Sequence, residues 1–431
     1  MIAPLPMILP RMLAVRQIFP STPPLDISAE IRRQMKPVAG RLKPGASIAV
    51  AVGSRGITNL RGIVAEVLHA LREAGAKPFI VPAMGSHGGA TPEGQTALLA
   101  EYGITEEQLG VPIRASMEAE HLGKTEHGAD VYFSKEALQA EGVVIVNRVK
   151  PHTDFAGCLG SGILKMMVVG LGKRVGAANF HACASRLGYE AVLQASARVT
   201  LRSAPILCGV AIVENQLHDT AKLQIVTPDE MEEREKELFA QAREWMPKLP
   251  FQDLDLLIVD RIGKNISGAG MDPNVIGRGV HGYSSFLGDR STSPVIRRLF
   301  VRDLTPETHG NAIGIGMADL TTSRLVQSID QRVTAINALT ALTVQCAKIP
   351  IHFETDREAI GRALESLALG DPREAMVVRI SDTLSLEHLE VSEAYLEAVR
   401  TRRDLVASGE PREMTFDVES NLMPLVNKKA G

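Results

Sequence analysis

Cysteine is scarce in this chain: four occur in 431 residues, Cys158, Cys183, Cys208 and Cys346, and no two form a CxxC pair. Neither a zinc ribbon nor a disulfide framework is signalled, and a reducing compartment fits. Charge of one sign is missing as well. A formal net charge of -3, with both signs dispersed, removes the electrostatic case for wrapping nucleic acid or docking on an anionic membrane. Long apolar runs are absent too. The opening MIAPLPMILPRMLAV is interrupted by Pro4, Pro6 and Pro10 and ended by Arg11, so it reads as neither a membrane span nor a signal peptide. With no address, the expected location is the cytoplasm. No short fixed repeat, low-complexity tract or sustained heptad pattern appears. What is present is ordinary for a globular protein, 45% hydrophobic and 23% charged residues. A small-molecule partner is favoured, and a homo-oligomer is left open.

The length exceeds one comfortable hydrophobic core, which predicts two domains. Apolar runs at 47–53, 78–83, 142–149 and 206–215 alternate with helix-spaced segments at 59–75 and from Thr91, where Pro92 would occupy the first turn. Residues 228–246 read as an amphipathic, highly charged helix, and PKLP makes a linker. A second alternating series uses 255–263, 297–304, 312–319, a helical 331–346 and 375–381. The expectation is an α/β protein with domains at 1–249 and 250–431, the last residues free to return to the first domain. In such sheets ligands bind beyond the carboxyl ends of strands. Arg55 in AVGSRG, His87 in AMGSHGG and His152 after GVVIVNRVKP all fall there.

The densest chemistry lies in PHTDFAGCLGSGILKMMVVGLGKRVGAANFH, residues 151–181. Gly170, Gly172 and Gly176 are one residue too widely spaced for GxGxxG, with no acidic residue near the expected position downstream. GSGILK is not a phosphate loop, because no glycine immediately precedes Lys165. Eleven histidines occur, yet no HExxH or HxxEH spacing does, and His152 and His181 are too far apart to share a helical face. A lone histidine is by default structural, and a lone lysine solvated. The set argues otherwise. Lys165 runs into Met166, Met167, Val168 and Val169, an apolar setting in which an amine loses charge and becomes a candidate covalent attachment point. In a continuous helix its sixteen-residue separation from His181 would span about 24 Å. The intervening glycines must therefore turn the chain if both serve one cofactor.

These residues resemble the nickel-dependent lactate racemase family. In that family a lysine carries a nickel pincer nucleotide through a thioamide and a histidine sixteen residues later ligates nickel, an interval matched by Lys165 and His181. His152, before Ala156 and Gly157, and His87, in a Gly-Ser-His turn, match the two catalytic histidines. Arg55 matches the substrate-binding arginine. Gly160, Ser161 and Gly162 fall in the cofactor-binding stretch. In the second domain MDPNVIGRG resembles the family's Asp-x-Asn segment, with Gly277 and Arg278 near where lactate racemases carry a glutamine and a lysine. That departure implies a relative with its own substrate recognition.

The resemblance implies two α/β domains with the site between them, and inversion of a 2-hydroxy acid at C2 by hydride transfer to and from the cofactor. One of His87 and His152 would be base and the other acid for each enantiomer, a duty that suits imidazole. Arg55 would grip the carboxylate with its planar fork. Lys264, Asp272, Asn274 and Arg278 are second-rank substrate candidates by position. Transient partners would be the cofactor-synthesis proteins. A nicotinamide-dependent oxidoreductase using GLGKRVG and a non-catalytic nickel- or nucleotide-binding relative are the alternatives.

Overall fold

A computed structural model describes residues 8–53, 56–153, 157–280 and 293–425. The chain forms two compact units, Ser21–Met246 and a second built from Pro247–Gly431 together with Met1–Pro20. The first strand along the chain, β1 (Met12–Gln17), thus belongs to the second unit, although residues 1–249 read in sequence as one domain.

In Ser21–Met246 the sheet is built from β2 (Ser47–Val52) and β3 (Lys77–Pro82), then, after a two-stranded hairpin of β4 (Ala119–Lys124) and β5 (Asp130–Ser134), from β6 (Gly142–Arg148), β7 (Ile206–Glu214) and β8 (Thr220–Val226). The order is β3-β2-β6-β7-β8, parallel except for the β7–β8 pair. Alternate side chains of a strand face opposite ways, and here both faces are covered. Ala49, Ala51, Val143, Ile145 and Val213 pack towards Leu164, Met167, Phe180 and Leu238 on one side. Ile48, Val50, Val144, Val146 and Ile212 pack towards Ile31, Ile63 and Val67 on the other. That is why the strands read as continuous apolar runs. Burying each Val or Ile contributes about 1.5–3 kcal/mol.

The helices follow local rules. Helix Leu60–Glu73 turns Leu60, Ile63, Val64, Val67, Leu68 and Leu71 inward, the spacing of one helical face. Thr91 caps Pro92–Glu101 by accepting the Gly94 N–H, with proline in the first turn.

The second unit adds β9 (Asp253–Ile262), β10 (Val295–Leu304), β11 (Leu320–Thr322), β12 (Ile351–Phe353), β13 (Val377–Ile380), β14 (His388–Ser392) and β15 (Leu405–Ala407). Its sheet runs β12-β11-β10-β9-β13-β14-β1-β15. The first five strands are parallel, and β14, β1 and β15 pair antiparallel. Residues 312–319, expected as a strand, instead hold the short 3-10 turn Ile315–Met317. Gly314, at φ 98, crosses so close to Ala269 that no side chain fits. The helix expected over 331–346 is Gln331–Thr340, and Leu342, at φ 59, separates it from a 3-10 turn. Leu422 is buried in this unit's own core beside Phe300 and Leu364. Among the described residues no helix is long and apolar enough to cross a membrane.

Candidate active site

Ile163–Lys165 is a single α-helical turn that widens at once into a π-helical turn, Met166–Gly170, closed by the Leu171 N–H donating to Met166 O across 2.9 Å. Such turns concentrate at functional sites. Lys173 then takes a left-handed φ of 56° and leads into helix Lys173–Leu187, which carries His181. The chain therefore changes direction between Lys165 and His181. The two side chains sense one another: burial and then the Lys165 charge push the His181 imidazole down to about 4. At neutral pH that ring is uncharged and keeps a lone pair for a metal.

His152 connects to the same helix through aromatic rings. It lies 5.0 Å from the Tyr189 ring; Tyr189 meets Phe180 edge-on at 5.3 Å, and Phe180 meets His181 at 5.6 Å. The strap holding His152 is closed where Lys150 and Ser161 exchange backbone hydrogen bonds of 2.8 and 2.9 Å. The Tyr189 hydroxyl donates to Gly160 O at 3.1 Å.

His87 is exposed beyond β3. Its loop is tied down from below: buried Gln95 donates to Gly85 O (3.1 Å) and His87 O (3.3 Å). Gly85 N–H donates to Gly170 O at 3.0 Å, which docks the loop on the end of the Lys165 segment. Lys173 Nζ reaches back to Pro82 O at 2.7 Å. Arg55 lies outside the described residues. Gly53, two positions earlier at the end of β2, packs against Met166: a Cβ there would lie 2.6 Å from its Cε.

The glycines before Lys165 serve protein neighbours. A Cβ on Gly160 would sit 2.5 Å from Lys150 O, and one on Gly162 would sit 2.2 Å from Glu235 Oε1. Gly162 O accepts from the Asn147 side chain at 2.8 Å. Gly170, Gly172 and Gly176 follow a helical turn instead of a strand, so the strand-turn-helix setting of a dinucleotide fingerprint is not formed.

In the second unit Asp272 caps Pro273–Ile276, accepting from Asn274 N at 3.0 Å and from its side chain at 2.9 Å. Arg278 donates to Met317 O (2.7 Å), Ile296 O (3.0 Å) and Asp319 (2.7 Å), so its fork is engaged within its own unit. Lys264 is exposed and donates to Gly268 O at 2.9 Å.

Three groups at the site escaped the sequence reading. Arg148 and Glu214 form an ion pair at the ends of β6 and β7, and Glu214 also accepts Thr58 N–H at 2.9 Å. Lys173 is completely buried, and desolvation lowers its amine to about 8 against a smaller raising effect of Glu136. Glu235 is buried beside the Lys165 segment. Strand-end position could have found Arg148 and Glu214; helical phase could have found Glu235.

Residues 27–189 match the family model described as lactate racemase N-terminal domain. The structure of the lactate racemase apoprotein from Thermoanaerobacterium thermosaccharolyticum aligns over 84% of this chain and 92% of that one, at 16% identity and a TM-score of 0.51. It shares the mixed α/β fold. No curated protein matches the chain. Residues 27–189 are thus similar to the lactate racemase N-terminal domain.

Proposed function

We propose that this protein is a racemase or epimerase that inverts the C2 centre of a 2-hydroxy acid, with a nickel pincer nucleotide carried on Lys165 and His181 as the protein's ligand to nickel. The observation that carries the reading is the Lys165–His181 pair: the chain turns at Lys173, and burial and the Lys165 charge keep the imidazole neutral. The donor set suits such a group. Among the described residues no three His, Cys, Asp or Glu side chains converge on a metal position. One neutral imidazole beside a lysine therefore fits a metal that brings its remaining donors with an organic cofactor. When bound, that group would supply an acceptor and donor for the C2 hydride.

The protein's share is proton handling and positioning. His87 and His152 would take up and return the hydroxyl proton, each as base for one enantiomer and acid for the other. Arg55 would hold the substrate carboxylate. Lys264, Asp272, Asn274 and Arg278 stay second-rank substrate candidates, by position in the sequence alone.

The test is intact mass and metal content after co-production with the cofactor-synthesis proteins. An adduct is expected on the wild-type chain and none on Lys165→Ala, with nickel reduced in His181→Ala. His87→Ala and His152→Ala should keep the adduct while turnover falls by about 10² to 10⁴. No adduct and no nickel, under conditions that load a lactate racemase, would sink this reading.

A further inference from the structure

Helix Met231–Glu244 reads in sequence as amphipathic and highly charged, and Glu233 and Glu237 do face solvent. Glu235 does not. Its phase matches Met231, Leu238, Phe239 and Ala242, which turns it into the core at 2% exposure. A buried carboxylate is costly unless hydrogen bonds compensate it. Glu235 Oε2 accepts the Leu164 N–H at 2.9 Å, and Oε1 is buried with no hydrogen-bond partner among the described residues. Burial raises this carboxyl to about 7, against the amides of Leu164 and Ile163, which act in the opposite direction.

The first-turn N–H groups of a helix lack intrahelical acceptors. Gly162, at the N-cap of the Lys165 turn, has no side chain to supply one. Glu235 does so from another helix, and only a glycine at 162 leaves it room: a Cβ there would lie 2.2 Å from Oε1.

From this geometry we infer that Glu235 is a positioning residue for Lys165, holding the turn that carries the lysine through the amide of Leu164. Gly162 and Glu235 work as a pair. The importance of placing Lys165 rests on the function proposed above; the clamp itself does not.

The experiment uses the full chain without cofactor. Hydrogen exchange of peptides covering 160–170 is measured together with acylation of Lys165 by sulfosuccinimidyl acetate, normalised to exposed Lys77. In Glu235→Leu, exchange around Leu164 should accelerate about tenfold or more, the weight of a lost buried hydrogen bond. Lys165 acylation should rise about threefold or more as the amine leaves its half-buried position. Glu235→Gln keeps an acceptor oxygen and should stay within about twofold of wild type on both measures. Leu238→Ala, a cavity on the same helix, should destabilise the unit without either local change.

Unchanged Lys165 acylation in Glu235→Leu, or the same local changes in Leu238→Ala, would overturn the inference. Should Glu235→Leu fail to fold, Gly162→Ala displaces the carboxylate from the other side and is expected to reproduce both changes. A folded Gly162→Ala with neither change would also overturn it. Failure of the wild-type chain to acquire a pincer adduct would count against the proposed function and leave these readings standing.

Discussion

Both units bury ionisable side chains against their parallel sheets, and they complete them differently. In the second unit the fully buried Asp356 accepts from Arg302 (2.6 and 2.8 Å), Arg324 (3.2 Å) and Leu422 N–H (2.8 Å). Arg302 also reaches Asp260 at 2.9 Å and Leu422 O at 2.6 Å. Arg379 joins Asp260, Glu390 and Met423 O at 2.9, 3.0 and 2.6 Å. In the first unit Lys173, with three donors to place, donates to Pro82 O alone among the described residues. Glu235 leaves one oxygen without a partner. A saturated network holds a structure together cooperatively. A half-satisfied buried charge costs stability, and here both examples adjoin the segment that carries Lys165.

The comparison predicts opposite signs for two substitutions. Arg302→Met leaves Asp356 and Asp260 buried with a partner removed, so stability should fall by about 3–5 kcal/mol, read as a lower denaturant midpoint in circular dichroism. Lys173→Met removes a desolvated ammonium and one hydrogen bond. It should be stabilising by about 1–2 kcal/mol at pH 7, because a well-packed apolar residue replaces a costly charge. Trp245, the only tryptophan, lies in the first unit and reports its unfolding by fluorescence. The pH dependence sharpens this. Lys173 titrates near 8 folded against an ordinary 10.5. The unfolded chain therefore binds more protons between those values, and wild-type stability should rise with pH across that window. The advantage of Lys173→Met at pH 7 should therefore vanish and then reverse over the same interval, a change of roughly 3 kcal/mol in all. A Lys173→Met destabilised at pH 7 would break the contrast.

Much of this was legible from local pattern. The continuous apolar runs of β2, β3, β6 and β7 announce strands covered on both faces. Their ends locate His87 and the approach to His152, while the described residues stop short of Arg55. Long-range pairing was not legible: nothing in Met12–Gln17 says that it will lie between β14 and β15, because strand periodicity reports burial and carries no partner. Arg278 and Asp272 were singled out for position, yet an arginine fork and an N-cap carboxylate serve local carbonyls and amides as readily as a ligand. Glu235 was hidden by its company. Acids on either side gave the helix a surface composition, and only its register with Met231, Leu238 and Phe239 betrays the inward position.

The smallest effect expected concerns His181. Burial is the larger cause of its low value near 4 and the Lys165 charge the smaller, so the two can be separated by removing the lysine. In the unloaded chain the imidazole should stay neutral from above pH 5 upward, visible as flat ring-proton shifts in an NMR titration. Lys165→Met should raise the His181 pKa only slightly, since desolvation remains and continues to disfavour the imidazolium. The sign follows directly: a cation beside an imidazole opposes protonation, and removing it relaxes that opposition. No shift at all would separate Lys165 from His181 electrostatically and weaken the case that one cofactor joins them. A return to the ordinary histidine range would instead make the lysine the main cause and the pocket wetter than its packing against Phe180 implies.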